Sequence, residues 1–190
     1  MHSIVLASSS PRRRELLKSL GFELTFLEPN INDTAHFAES PKDLVLRLAR
    51  EKVEAVANQT ELPVIAADTI VVVEDAILGK PENKADAGRM IRLLSGREHR
   101  VLTGYAVLYR GKVSVDLVET KLVFRKLSDY EIETYLDTEA WVGKSGAYPI
   151  QAACGFFVDH LTGSLTNVLG LPLAEVLETL NKILPGCITV

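Results

Sequence analysis

Cysteine is scarce in this chain: Cys154 and Cys187 are its two, too far apart for a local metal motif and too few for a disulfide framework. Both are expected to be reduced thiols. Cys154 has no catalytic signature around it. His2, His36, His99 and His160 form neither an i,i+4 pair nor a Cys/His cluster at zinc spacing, so zinc and thiol chemistry lack support. The longest unbroken apolar run falls far short of the roughly 20 residues that a membrane helix needs. The N-terminus also lacks the basic and apolar segments of a signal peptide. The expectation is a soluble cytoplasmic protein with no membrane partner.

Positive charge is not in excess either. A net charge of −4 argues against nucleic acid as a partner, because that binding neutralises many phosphates along a basic surface. An anionic substrate must then be met locally. No G-x-x-x-x-G-K-[ST] occurs, which excludes a P-loop, and no G-x-G-x-x-G follows the first strand, which weighs against a dehydrogenase-like dinucleotide binder. Low-complexity segments, fixed-period repeats and linkers are likewise missing. At 190 residues and 47% apolar composition, the expectation is one domain over 1–190.

What is present alternates between strand and helix signals. Residues 3–8 read as a short buried strand, Pro11 as the first position of a helix that Gly21 stops. Ser40 and Pro41 open a second helix, whose positions Leu44, Val45, Leu48, Ala49, Val53 and Val56 form one apolar stripe. Residues 63–73, PVIAADTIVVV, read as a central strand covered on both faces. Lys84 to Leu94 reads as a helix ended by Gly96, and 99–109 with 113–124 as a hairpin turning near Gly111. Ser128 and Glu131 form a capping-box pattern for a helix to about Asp137, and Pro172 opens a last helix to about Leu184. Between them lie a glycine-bearing loop and the strand-like IQAACGFFV. The mixture of hairpin-linked and helix-separated strands predicts an α/β protein with a mixed sheet.

Against that frame of elements, Asp68 is the most informative residue. A carboxylate in the middle of a buried strand costs several kcal/mol unless something compensates it. The compensating group is a cation or metal, or else backbone donors at a bulge. Thr69 points to the opposite face of a regular strand. The run S-S-S-P-R-R-R offers hydroxyls, amides at a helix start and guanidinium groups, a set suited to a phosphate chain, although Ser10 can serve simply as an N-cap and Arg12 to Arg14 as solvated charges. Lys52 falls inside the core-facing stripe, where an ammonium either snorkels out or finds an anion. Lys80 lies in a Gly-Lys-Pro turn from which it can reach a phosphate. Asp33 is either a turn residue or a second oxygen ligand, beside Asp68, for a hard divalent cation.

The segments SSSPRRRELL, LAREK, ADTIV, GKP, LSGREHRVLTG, GAYPIQ and NVLGLPL together resemble the Maf family of nucleotide pyrophosphatases, nearly end to end and in the family's order. The resemblance implies an α/β fold with an elongated mixed sheet flanked by helices and two lobes around a central cleft, as in inosine triphosphatase-like proteins, commonly dimeric. It implies hydrolysis of a nucleoside triphosphate to the monophosphate and pyrophosphate with Mg²⁺ or Mn²⁺. Asp68 falls on the family's catalytic acid. Ser8, Arg13, Lys52 and Lys80 fall on phosphate-binding positions, and Arg12, Thr69 and Gln151 on positions tied to base selectivity. Arg, Thr and Gln at those positions resemble the dTTP/UTP branch, whereas the 7-methyl-GTP branch carries Trp, Gln and Glu. Gln151 offers both a donor and an acceptor to a pyrimidine edge, which a Glu does not.

Two departures stand out. Asp33 occupies a position where the family usually has Glu, one methylene longer. WVGKSGAY replaces the DKAGAY of many dTTP/UTP members, so Gly143 takes the place of an aspartate, while Lys144 is retained and is expected to touch substrate. The expected activity is dTTP/UTP pyrophosphatase, with nucleotide-pool cleansing or inhibition of septum formation as its setting. The alternative weighed beside it is a regulatory nucleotide-binding protein of cell division without catalysis, against which the intact Asp68 argues.

Overall fold

The computed structural model describes residues 3–151 and 157–185. His2, Cys154 and Cys187 lie outside the described residues, as do residues 152–156 of the strand-like stretch IQAACGFFV.

Strand β1 (Ser3–Ala7) enters the helix α1 (Pro11–Lys18) through a short polar turn, and β2 (Glu23–Leu27) returns parallel to β1. Pro11 takes the first helical turn, where a missing N–H costs nothing. Helix α2 (Pro41–Val56) is capped by Ser40, whose Oγ accepts from the Asp43 N–H at 3.2 Å. All six residues of its apolar stripe are buried, the leucines and valines among them each contributing up to roughly 1.5–3 kcal/mol. Strand β3 (Val64–Val73) pairs parallel with β1, and its end folds back antiparallel as β4 (Ala76–Leu78).

Helix α3 (Lys84–Leu94) is capped by Asn83. Strands β5 (Glu98–Tyr109) and β6 (Lys112–Phe124) are joined by Arg110-Gly111, both at positive φ, as a two-residue hairpin turn demands. The Ser128–Glu131 capping box opens α4 (Asp129–Leu136) as its sequence predicts. Strand β7 (Val158–Thr162) pairs antiparallel with β6, and two helices follow, α5 (Leu165–Val168) and α6 (Leu173–Ile183). The result is a mixed sheet in the order β2-β1-β3-β5-β6-β7, with β4 on β3, flanked by helices.

The chain divides into two compact units, one of Met1–Asp68, Thr103–Val118 and Gly170–Val190, the other of Thr69–Leu102 and Glu119–Leu169. In the first, the two-residue strand period sorts the core by face. Ile4, Leu6, Ile65, Ala67, Tyr105 and Val107 pack with Leu17 of α1 and Val176 and Leu180 of α6. Their alternating neighbours Val5, Ala7, Val64, Ala66, Ala106 and Leu108 pack with Ala49, Val53 and Val56 of α2. The second unit has one core, in which α3 and α4 contribute Ile91, Leu94, Ile132 and Tyr135 beside Phe124 and Phe157.

Gly104 decides how closely α2 can lie on its face of the sheet. A Cβ there would stand 2.2 Å from the Val45 carbonyl oxygen and 2.8 Å from the Leu46 nitrogen, so only glycine allows this approach. In the second unit, Gly146 sits at φ +68 against the Val71 side chain, where a Cβ would meet Val71 Cγ2 at 2.9 Å.

Candidate active site

In β3, the positions Val64 and Ala66 face α2, and the same alternation carries Asp68 to that face. In α2, Lys52 is three residues beyond Ala49 and four before Val56, so it rises from the same apolar stripe. The two meet. Lys52 Nζ donates to Asp68 Oδ1 and also reaches the Ala67 carbonyl at 3.4 Å. Their side chains are only 14% and 18% exposed, which is enough burial to make the pair matter and enough access for a ligand. The ammonium thus finds an anion instead of snorkelling out, and the Asp68 carboxylate is compensated by a cation. Desolvation lowers the Lys52 pKa and the Asp68 charge opposes that fall, with Arg13 adding to it and Asp33 working against it.

A second cluster forms where β1 ends. Ser8 is buried, and its Oγ accepts from the Ser10 N–H at 3.1 Å and from Arg13 Nη1 at 3.3 Å. Arg13 Nε donates to the Gly170 carbonyl at 2.6 Å, tying α1 to the NVLGLPL segment. Desolvation lowers the Arg13 pKa, Asp68 raises it and Arg12 lowers it; desolvation also lowers that of Arg12. The desolvation of the Arg13 guanidinium, only partly offset by Asp68, is a cost that an added anion would relieve. Ser10 occupies the N-cap position without a side-chain cap bond, so its hydroxyl does not take up the amides that open α1.

Asp33 is exposed in the loop before α2, and its field reaches Lys52. Ser8, Arg13, Lys52 and Asp68 are therefore brought together in the first unit, with Arg12 and Asp33 within electrostatic reach of members of that group.

The remaining expected residues lie in the second unit. Ser145 Oγ donates to the Thr69 carbonyl at 3.3 Å, and the Gly146 N–H donates to the Gly79 carbonyl at 3.0 Å. These two bonds hold the half-buried Lys144, at the head of the 3-10 turn Ser145–Ala147, against the Gly79-Lys80 segment after β4 and Thr69. Lys80 and Gln151 are both exposed. Ser145 and the Gly170 carbonyl are site-building groups that the sequence reading did not single out. Their signal was their place inside motifs of several residues, not their chemistry.

The site residues also bear on a divalent cation. Asp68 keeps a second carboxylate oxygen beyond the one that Lys52 engages, and Asp33 is exposed. Among the described residues no three His, Cys, Asp or Glu side chains gather into a cage. Hard oxygen donors from two carboxylates fit an ion of the Mg²⁺ kind, which commonly takes one or two carboxylates and completes its shell with phosphate oxygens and water.

The family model described as Maf-like protein matches residues 3–183, which takes in segments of both units. A dTTP/UTP pyrophosphatase of Geobacter sulfurreducens is 48% identical over 183 residues, covering 95% of this chain and 96% of the relative. One from Pyrococcus abyssi is 44% identical over 178 residues, covering 92% and 93%. Among solved structures, the Staphylococcus aureus Ham1 protein is similar in fold, with a TM-score of 0.52 at 14% identity over 97% of this chain and 98% of that one. Among the described residues no helix is long and apolar enough to cross a membrane.

Proposed function

The chain belongs to the Maf family, and on that premise we propose that it is a nucleoside triphosphate pyrophosphatase acting on dTTP and UTP. The observation that carries the reading is the Lys52–Asp68 pair, a half-buried carboxylate on the central strand with a cation beside it and Arg13 in its field. In the reaction, a water oxygen bonds to the α-phosphorus as the bond to the α,β-bridging oxygen breaks. Pyrophosphate leaves with the bridging oxygen, and the monophosphate keeps the water oxygen. Asp68 accepts the water proton, and Lys52 and Arg13 offset charge that develops on the phosphate oxygens.

Ser8 and Lys80 join Lys52 and Arg13 as phosphate ligands, and Lys144 contributes a further cation. Arg12, Thr69 and Gln151 select the base; the amide of Gln151 supplies both a donor and an acceptor to a pyrimidine edge. Asp33 and Asp68 would hold Mg²⁺ or Mn²⁺, which supplies Lewis-acid stabilisation of the phosphate oxygens when bound. The reading extends to a cytoplasmic enzyme of small nucleotides, not of nucleic acid or membranes, with a homodimer as the assembly that the family resemblance implies.

The test is a substrate panel of dTTP, UTP, CTP and 7-methyl-GTP with Mg²⁺ or Mn²⁺, following pyrophosphate and orthophosphate separately. Pyrophosphate release from dTTP and UTP is expected. Nucleotide binding by calorimetry without turnover of any triphosphate would reject the proposal.

A further inference from the structure

We infer that Arg47 is a positioning residue for Asp33, holding the 32–39 loop in the conformation that presents this carboxylate; the inference rests on the proposed role of Asp33 as an ion ligand. Arg47 lies on α2, five residues before Lys52, and its guanidinium is divided between the helix and the loop. Nε and Nη2 form a fork onto Glu39, at 2.6 Å to Oε1 and 2.8 Å to Oε2. Nη2 also donates to the Thr34 carbonyl at 3.1 Å, and Nη1 anchors to Glu51, one turn along α2, at 3.1 Å.

The loop closes on the same carboxylate from its own side, because the His36 N–H donates to Glu39 Oε2 at 2.9 Å. Two residues before the Arg47 contact, Asn32 Oδ1 accepts from the Thr34 N–H at 3.1 Å and from the Thr34 hydroxyl. Asp33 is thus the central residue of a small turn whose outgoing carbonyl is pinned to α2. The clamp is well shielded, with the Arg47 side chain 18% exposed and that of Glu39 9%. Apart from it, the loop's described side chains are mostly exposed: Asp33, Thr34, Ala35, His36, Phe37 and Ala38 have no apolar seat in the core. With no packing to order it, the loop depends on the planar, bidentate fork for its conformation. The same helix that carries Lys52 to Asp68 therefore also fixes where Asp33 stands.

The experiment compares Arg47→Gln, Glu39→Gln and Asp33→Asn, alone and with Arg47→Gln added to Asp33→Asn. Hydrogen exchange is read at amides 32–39 and 44–56, and the Mg²⁺ concentration for half-maximal turnover is read beside kcat at saturating Mg²⁺. Arg47→Gln and Glu39→Gln are each expected to speed exchange in the loop about tenfold or more while α2 keeps its protection. Both are expected to raise the Mg²⁺ requirement about tenfold with kcat changed less than about threefold, and Arg47→Lys, which lacks the fork, is not expected to restore it. In the Asp33→Asn background Arg47→Gln should add no further rise, because it acts through Asp33; independent effects would instead multiply. Unchanged loop exchange, or a full additive rise in the double variant, overturns the inference. If Asp33→Asn alone leaves the Mg²⁺ requirement unchanged, the ion-ligand reading of Asp33 fails and the inference falls with it, whatever the loop does.

Discussion

Lys52 Nζ rises out of the apolar stripe of α2 and engages Asp68 in the middle of β3, joining two charges that neither element would hold alone. A half-buried pair of this kind stabilises little over an apolar replacement, but removing one partner strands the other.

Lys52→Met is accordingly expected to lower stability by up to about 3 kcal/mol, because Asp68 is left without its cation. The double variant Lys52→Met/Asp68→Asn should recover most of that loss, since neither charge remains. Neither variant should recover turnover. Urea unfolding beside a pyrophosphate-release assay checks all three outcomes, and a double variant no more stable than the single one would contradict the pairing.

Gly104 sets the distance between α2 and the sheet, and so the reach of Lys52. Gly104→Ala places a methyl carbon 2.2 Å from the Val45 carbonyl oxygen, a clash with backbone that no rotamer relieves. The expected cost is about 3 kcal/mol, at the upper end for overpacking, with turnover reduced because α2 must move away from β3. Thermal unfolding and activity measured on the same preparation test this; a variant of normal stability would show that α2 adjusts freely.

His99 supplies a pH dependence. It is buried in the second unit, edge-on to Phe124 and Tyr148, with Nε2 2.8 Å from the Tyr148 hydroxyl. Burial pushes its pKa down from 6.5 to about 4. The unfolded chain takes up this proton near pH 6.5, the folded chain near 4. Stability from His99 is therefore complete above 6.5 and is lost as pH falls toward 4, by about 3 kcal/mol at most. Glu39 and Glu131, held at about 2 by hydrogen bonds from Arg47 and Arg125, add their own losses only below their ordinary 4.5. His99→Gln should flatten the stability profile between pH 6.5 and 4.5. An unchanged slope would mean that His99 does not carry it.

The proposed base-reading role of Gln151 makes a prediction about selectivity. Gln151→Glu removes the amide donor and adds a negative charge, so turnover of dTTP and UTP should fall at least about tenfold. Competition assays with paired triphosphates measure it directly, and an unchanged substrate profile would remove Gln151 from base reading.

The sequence was most legible where period and punctuation agree. The stripe of α2, the Ser128–Glu131 box, the ends of α3 and the apolar run of β3 all appear where patterning places them. Strands β2, β4 and β7 did not stand out as such. β2 lies at the sheet edge with mixed burial, β4 is three residues long, and β7 is mostly exposed, so none carries a strong apolar alternation. For the site, the meeting of Lys52 and Asp68 could be anticipated from a cation on a core stripe and a carboxylate on a core strand. The Arg47 clamp could not, because its partners Thr34, Glu39 and Glu51 are ordinary polar residues in sequence, and only the Glu51 spacing of four hints at a contact.

The central claim is that Asp68 performs chemistry, and Asp68→Asn tests it most directly, because Asn keeps the size and an acceptor for Lys52 while giving up the base. Pyrophosphate release from dTTP and UTP should fall by about a thousandfold or more, while the protein still unfolds in one cooperative transition and loses no more stability than Lys52→Met. Turnover at the parent rate in a folded Asp68→Asn protein would contradict the account.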